Sequence, residues 1–301
     1  QSTPTPARKA ALMPSVNANG ITIGYETFGD GEPLLLIMGL GAQLTDWPDG
    51  FPELLVEQGF GVIAMDNRDQ GLSTEFDWDP PSQARSVLGL MAKRPPKTGY
   101  LLADMADDAA GLLEALNVDS AHIVGASMGG MIAQSLAIGH PERVRSLTSI
   151  MSNTGDRKHG GIAPRLLPAM ARMPEPTRET AVERSIATFK LIGGPHWDEA
   201  AHRARAERSL ARAFRPKGTN RQTAAIMASP DRTEGLRRLS SPTLVIHGLA
   251  DPLVRPTGGI ATAKAVRDSR LLMFPDMGHD IPAPRHPEMI DAIRRNAERA
   301  R

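Results

Sequence analysis

The chain has 301 residues, 41% of them apolar and 23% charged, with 35 Lys and Arg against 34 Asp and Glu. Such a composition can bury a sizeable core, which excludes wholesale disorder, and a net charge of +1 argues against a surface built mainly to hold nucleic acid. With no cysteine there is no disulfide framework, no thiolate metal site and no cysteine nucleophile.

In chain order, Gln1 to Pro14 is a Pro/Thr/Ala stretch without an apolar h-region, compatible with a natural arm or with a mature end left by signal removal. Residues 1–15 are therefore set apart from the fold. Val16 to Phe28 reads as a hairpin with Asn19-Gly20 at its turn. Pro33 to Met38 is a continuous apolar run, as expected of a parallel strand covered on both faces. Even extended to Ala42, this run falls short of the ~18 residues a membrane helix needs, so no membrane span is expected. A short helix over Pro52 to Gln58 stops at Gly59, and Gly61 to Met65 is the next strand. Phe76 to Tyr100 reads as a small insertion. Leu102, Met105, Ala109, Leu112, Leu113 and Leu116 recur at helical spacing opposite Asp104, Asp107 and Asp108. There follow a strand over Ala121 to Val124, a helix over Met128 to Ile138 and a strand over Val144 to Ile150.

From about Ser152 to Arg238 no strand-like run occurs, only Ala-, Arg- and Met-rich helical patterns broken by prolines. This interval, 152–238, is expected to be a helical cap over the carboxyl edge of the sheet, splitting a core of 16–151 and 239–301. Its basic stretch, Arg203 to Lys217, reads as a solvated helix face. Strand Thr243 to His247, helix Thr257 to Val266, strand Arg270 to Phe274 and a helix near Pro287 to Arg299 finish the series. Strands alternating with helices predict an α/β fold with a mostly parallel sheet and right-handed crossovers.

The chemistry centres on Gly125-Ala126-Ser127-Met128-Gly129, a G-x-S-x-G pattern at a predicted strand-to-helix junction. A nucleophilic serine must project from a tight turn, and small neighbours let strand and helix approach. The helix behind it aims free N–H groups at developing negative charge. G-A-S-M-G-G does not match the G-x-G-x-x-G of a dinucleotide loop. His279, in a loop directly after the last strand, is the expected base, with His247 second. Asp251, one strand-helix unit before His279, is the expected orienting acid, ahead of Asp276 and Asp280. Oxyanion donors are expected from the backbone N–H groups of Met128 and Leu40, the latter in Met38-Gly39-Leu40-Gly41, where Gly39 leaves room for a substrate carbonyl. Trp47 reads either as a wall of the acyl pocket or as a packing residue. No metal motif and no P-loop occurs in the sequence, and no cofactor is called for.

These features resemble the α/β-hydrolase superfamily over about Val16 to Arg299. Asp66-Asn-Arg-Asp-Gln-Gly-Leu-Ser73 resembles the family's D-x-R-G-x-G-x-S turn with Asp69 in place of the first Gly, and the elbow and the Pro242-Thr-Leu-Val-Ile-His-Gly strand with Asp251 fit as well. The M-G-x-G loop with a downstream Trp-Pro is similar to that of the esterase branch around aclacinomycin methylesterase, while many relatives carry His-Gly where this chain has Met38-Gly39. The resemblance implies a serine carboxylic-ester hydrolase acting on short to medium acyl or methyl esters. A carbon–carbon bond hydrolase, a lactonase or a non-catalytic ligand receptor stand as alternatives, with perhydrolysis as a side activity. Asp takes the place of Ser127 in dehalogenases and epoxide hydrolases, which are disfavoured. The expected partner is a small ester. Neither a monomer nor a homo-oligomer is favoured, and a soluble chain is expected, with the cytoplasm preferred to a secreted or periplasmic location.

Overall fold

The computed structural model describes residues 14–81 and 96–300. The terminal arm through Met13 and residues 82–95 of the small insertion lie outside the described residues. One eight-stranded sheet organises the chain. Its strands are β1 (Ser15–Ala18), β2 (Ile21–Phe28), β3 (Glu32–Ile37), β4 (Phe60–Met65), β5 (Ala121–Ala126), β6 (Val144–Ile150), β7 (Thr243–Gly248) and β8 (Ser269–Phe274). They lie in the order β1-β2-β4-β3-β5-β6-β7-β8. The β1–β2 and β2–β4 pairs are antiparallel and all the others parallel. The expected hairpin is present, with Asn19 and Gly20 both at positive φ, as its two-residue turn requires.

Alternation along the strands divides the core. Leu35, Ile37, Ile123 and Leu147 pack with α2 (Leu102–Ala115) and α3 (Met128–Gly139) on one face. Leu34, Leu36, Val124 and Ile246 pack with α1 (Phe51–Glu57) and α10 (His286–Glu298) on the other. Such strands must be apolar throughout, which is why Pro33 to Met38 reads as an unbroken run.

Between β6 and β7 the chain forms α4 (Leu167–Arg172), α5 (Ala181–Ile192), α6 (Glu199–Arg212), α7 (Pro216–Ala228) and α8 (Thr233–Arg237), and α9 (Thr257–Ala265) then links β7 to β8. The Asp198 carboxylate caps α6 by accepting from Ala201 N–H at 3.0 Å. Helices α6 and α7 meet the loops at the carboxyl ends of β3 and β4. Gln222 accepts from Gly41 N–H at 2.9 Å and donates to the Arg68 carbonyl at 2.8 Å. Among the described residues no helix is long and apolar enough to cross a membrane.

Candidate active site

Ser127 sits between β5 and α3 at φ 55° and ψ −120°, the strained turn that the small-residue pattern predicts. The close approach has a visible cause. A Cβ at Gly125 would run into the carbonyl of Gly129, and one at Gly129 into the carbonyl of Ile37. Ser127 N–H donates to the Ile150 carbonyl at 2.9 Å, so the turn is tied to the neighbouring strand.

His279 lies in the loop after β8, with Nε2 2.9 Å from Ser127 Oγ. Its Nδ1 is 2.8 Å from Asp251 Oδ2, and the other oxygen of Asp251 accepts from the N–H groups of Leu253 and Val254 at 2.9 Å each. Asp251 is thus fixed as an acceptor on both oxygens. With Nδ1–H donating to it, the neutral ring turns its Nε2 lone pair toward Ser127. His279 is itself held from the insert, because its N–H donates to the Ile192 carbonyl at 2.7 Å.

The rival side chains have other partners. His247 is fully buried, donates through Nε2 to the Val254 carbonyl at 2.8 Å, and stands 3.6 Å from Asp251. Burial holds its pKa below the ordinary histidine range. Asp276 pairs with Arg285 and with His196, and hydrogen bonds from that guanidinium lower its pKa to about 2. Asp280 accepts from Gly194 and Gly278 N–H at 3.0 and 2.9 Å, stitching the insert to the histidine loop, while burial raises its pKa. His122 lies at the start of β5, bonded to Ser146 at 2.8 Å. Burial and the nearby Arg145 charge lower its pKa to about 4.

The loop expected to supply an oxyanion donor follows β3. A Cβ at Gly39 would stand 3.1 Å from Ser127 Cβ, which measures how close this backbone comes to the serine. Met38 replaces the histidine of many relatives, and other residues pin the loop. Asn67 donates to the Met38 carbonyl at 2.8 Å, Gln222 accepts from Gly41 N–H, and Asp66 accepts from Leu44 N–H at 2.8 Å. Among the described residues the N–H groups of Leu40 and Met128 have no acceptor. Trp47 is buried, stacked on Phe51 at 5.3 Å, in the cluster that holds Met38, Met151 and Ile281. It does not line the open cavities that the insert borders beside Gly41.

Sequence reasoning missed the work of Asp69. This residue has φ 69°, the conformation for which relatives supply glycine and which Asp tolerates better than most. Its carboxylate accepts from Arg221 of α7 at 2.9 Å, from Tyr100 Oη at 2.6 Å and from Phe76 N–H at 2.9 Å. Beside it, Arg212 of α6 reaches Asp66 at 2.6 Å. Two buried carboxylates of the turn after β4 thereby anchor two helices of the insert. The departure from the glycine pattern was the available signal; its partner, remote in sequence, was not readable.

A family model described as alpha/beta hydrolase fold matches residues 32–283. The chain is similar to a rhodomycin D methylesterase of Streptomyces sp. (strain C5), at 27% identity covering 92% of this chain and 95% of the relative. It is also similar to a 2-hydroxymuconate semialdehyde hydrolase of Pseudomonas putida, at 29% identity covering 88% of each. Its fold matches a meta-cleavage product hydrolase from Pseudomonas fluorescens IP01 with a TM-score of 0.72 at 20% identity, covering 96% of this chain and 98% of the other. Sheet order, elbow and family match agree: the chain belongs to the α/β-hydrolase family, on the side of it that resembles the methylesterases.

Proposed function

We propose that the chain is a serine hydrolase that cleaves carboxylic esters through an acyl-enzyme. The observation that carries this reading is the hydrogen-bonded line from Ser127 Oγ through His279 to Asp251, with steps of 2.9 and 2.8 Å. Ser127 Oγ bonds to the ester carbon as its proton passes to His279 Nε2. Asp251 keeps the ring oriented and balances the imidazolium charge. The N–H groups of Leu40 and Met128 hold the oxyanion. When the carbon–oxygen bond breaks, His279 gives its proton to the departing alkoxide, and a water then repeats the sequence to release the acid.

Residues 152–238 act in this reading as a cap on a core of 16–151 and 239–301. Met173 and Phe189 of the insert, which line a cavity beside Leu40, shape the substrate space, and Gly39 leaves room for the ester carbonyl. Methionine adapts to varied shapes, so the site takes short to medium acyl or methyl esters. The likeness to the Pseudomonas putida relative favours one second reading, hydrolysis of a carbon–carbon bond by the same three side chains.

Hydrolysis of p-nitrophenyl esters from acetate to dodecanoate, wild type beside Ser127→Ala, separates the two. Rates that peak at short chains and vanish in the variant are expected. Folded protein that cleaves no ester but turns over 2-hydroxymuconate semialdehyde contradicts the first reading and supports the second. Ligand binding without turnover of either kind marks a receptor.

A further inference from the structure

The insert and the oxyanion loop border an open cavity of about 300 Å³, with Leu40 and Gly41 on one side and Met173, Phe189 and Arg184 on the other. Arg184, on α5, differs from the ion-paired arginines of the insert, and also from Arg232, which among the described residues has no ion pair but donates to Gln134 and to the Asn153 carbonyl. Arg212 and Arg221 meet Asp66 and Asp69, and even the more exposed Arg203 meets Glu183. Among the described residues Arg184 has no carboxylate within ion-pair distance, and its Nη1 is buried with no hydrogen-bond partner. Burial pushes its pKa down with no nearby anion opposing the shift. A guanidinium keeps its proton at working pH, so in this half-buried side chain the covered Nη1 stays without a partner until a ligand brings an anion. The other charged residue of the lining, Glu175, is 3.5 Å from Asn220 Nδ2 and makes no ion pair with Arg184.

We propose that Arg184 binds a carboxylate carried by the substrate, so that the site takes esters bearing a second, ionised acid group, of which half-esters of dicarboxylic acids are the simplest. This rests on the ester-hydrolase reading. The fork of a single guanidinium matches the two oxygens of one carboxylate, whereas a phosphate dianion would call for more than one cation and would meet Glu175. Leu40 lines the same cavity, whereas Ser127 and His279 do not, so the substrate must be long enough to reach from Arg184 past Leu40 to the serine. The chain between the two acid groups then sets selectivity.

The test compares monomethyl glutarate, adipate and suberate with methyl alkanoates of matching length, followed by pH-stat titration, in wild type, Arg184→Met and Arg184→Lys. One half-ester should exceed its neutral counterpart in kcat/KM by about tenfold or more, the range of a hydrogen bond to a charged group, and that ratio should collapse in Arg184→Met and partly return in Arg184→Lys. A ratio that is the same in wild type and Arg184→Met at every length overturns the proposal. Calorimetric binding of the same half-esters to Ser127→Ala keeps this question apart from ester hydrolysis itself. Binding that disappears when Arg184→Met is added supports the anion site whatever the reaction, and binding that persists overturns it.

Discussion

The two flanks of the insert are built on different principles. Helices α6 and α7 are tied to the sheet by buried charge: Arg212 to Asp66, Arg221 to Asp69, and Gln222 to the backbone of two loops. Helices α4 and α5 carry few buried side chains, Ile186 and Ile192 among them, and reach the histidine loop mainly through the backbone at Ile192 and Gly194. The first flank fixes the loop that would hold the oxyanion. The second supplies much of the cavity wall, including Arg184. Under the proposed function, chemistry would rest on the part that is held from many sides, and selectivity on the part whose surface can change with little consequence for the rest.

Substitutions break this contrast in order of size. Ser127→Ala or His279→Ala should lower kcat by roughly 10⁴-fold or more with the melting temperature retained, as read by single-turnover kinetics and calorimetry. Gly39→Ala puts a methyl 3.1 Å from Ser127 Cβ and 3.3 Å from the Ala126 carbonyl, so the loop must shift. A loss of about 10- to 100-fold in kcat is expected, because misplaced donors cost rate before they cost binding. Arg221→Met strands the Asp69 carboxylate in the interior and should cost about 3–5 kcal/mol in denaturant unfolding, with a good part restored by adding Asp69→Gly, which removes the anion at a position where glycine suits the backbone. On the outer flank Arg203→Ala removes an exposed pair with Glu183, and unfolding should not change measurably.

Acid should act on the sheet and on the first flank alike. Burial, aided by neighbouring arginines, lowers the pKa of His122 in the sheet and of His202 in α6 to about 4 from the ordinary 6.5. Above the unfolded value both states are neutral and nothing is gained or lost. As pH falls from there toward the folded value, the unfolded chain binds protons that the folded chain refuses, so stability declines across that window. Unfolding free energy followed from neutral pH downward should fall, and His202→Gln should flatten the decline.

Most of the fold was legible because each buried strand is an apolar run and each covering helix keeps its period. The elbow was legible for a local reason: small residues around Ser127 are demanded by the contact between Gly129 and the carbonyl of Ile37. His279 and Asp251 could be inferred from their place after the last two strands. What joins distant segments stayed hidden. Asp69 departs visibly from the glycine pattern, yet nothing in the sequence pairs it with Arg221, and the same holds for Asn67 under the Met38 carbonyl and for Ile192 behind His279. Arg184 looked like any helix-surface arginine, because a missing partner is a property of the packed structure alone.

The most direct test of the central claim, that Ser127 is an activated nucleophile, is labelling with a fluorophosphonate followed by intact and peptide mass spectrometry. One adduct is expected, on Ser127, absent from Ser127→Ala and strongly slowed in His279→Ala. Folded protein that takes up no label, or takes it up on another residue at the same rate in all three forms, would contradict it.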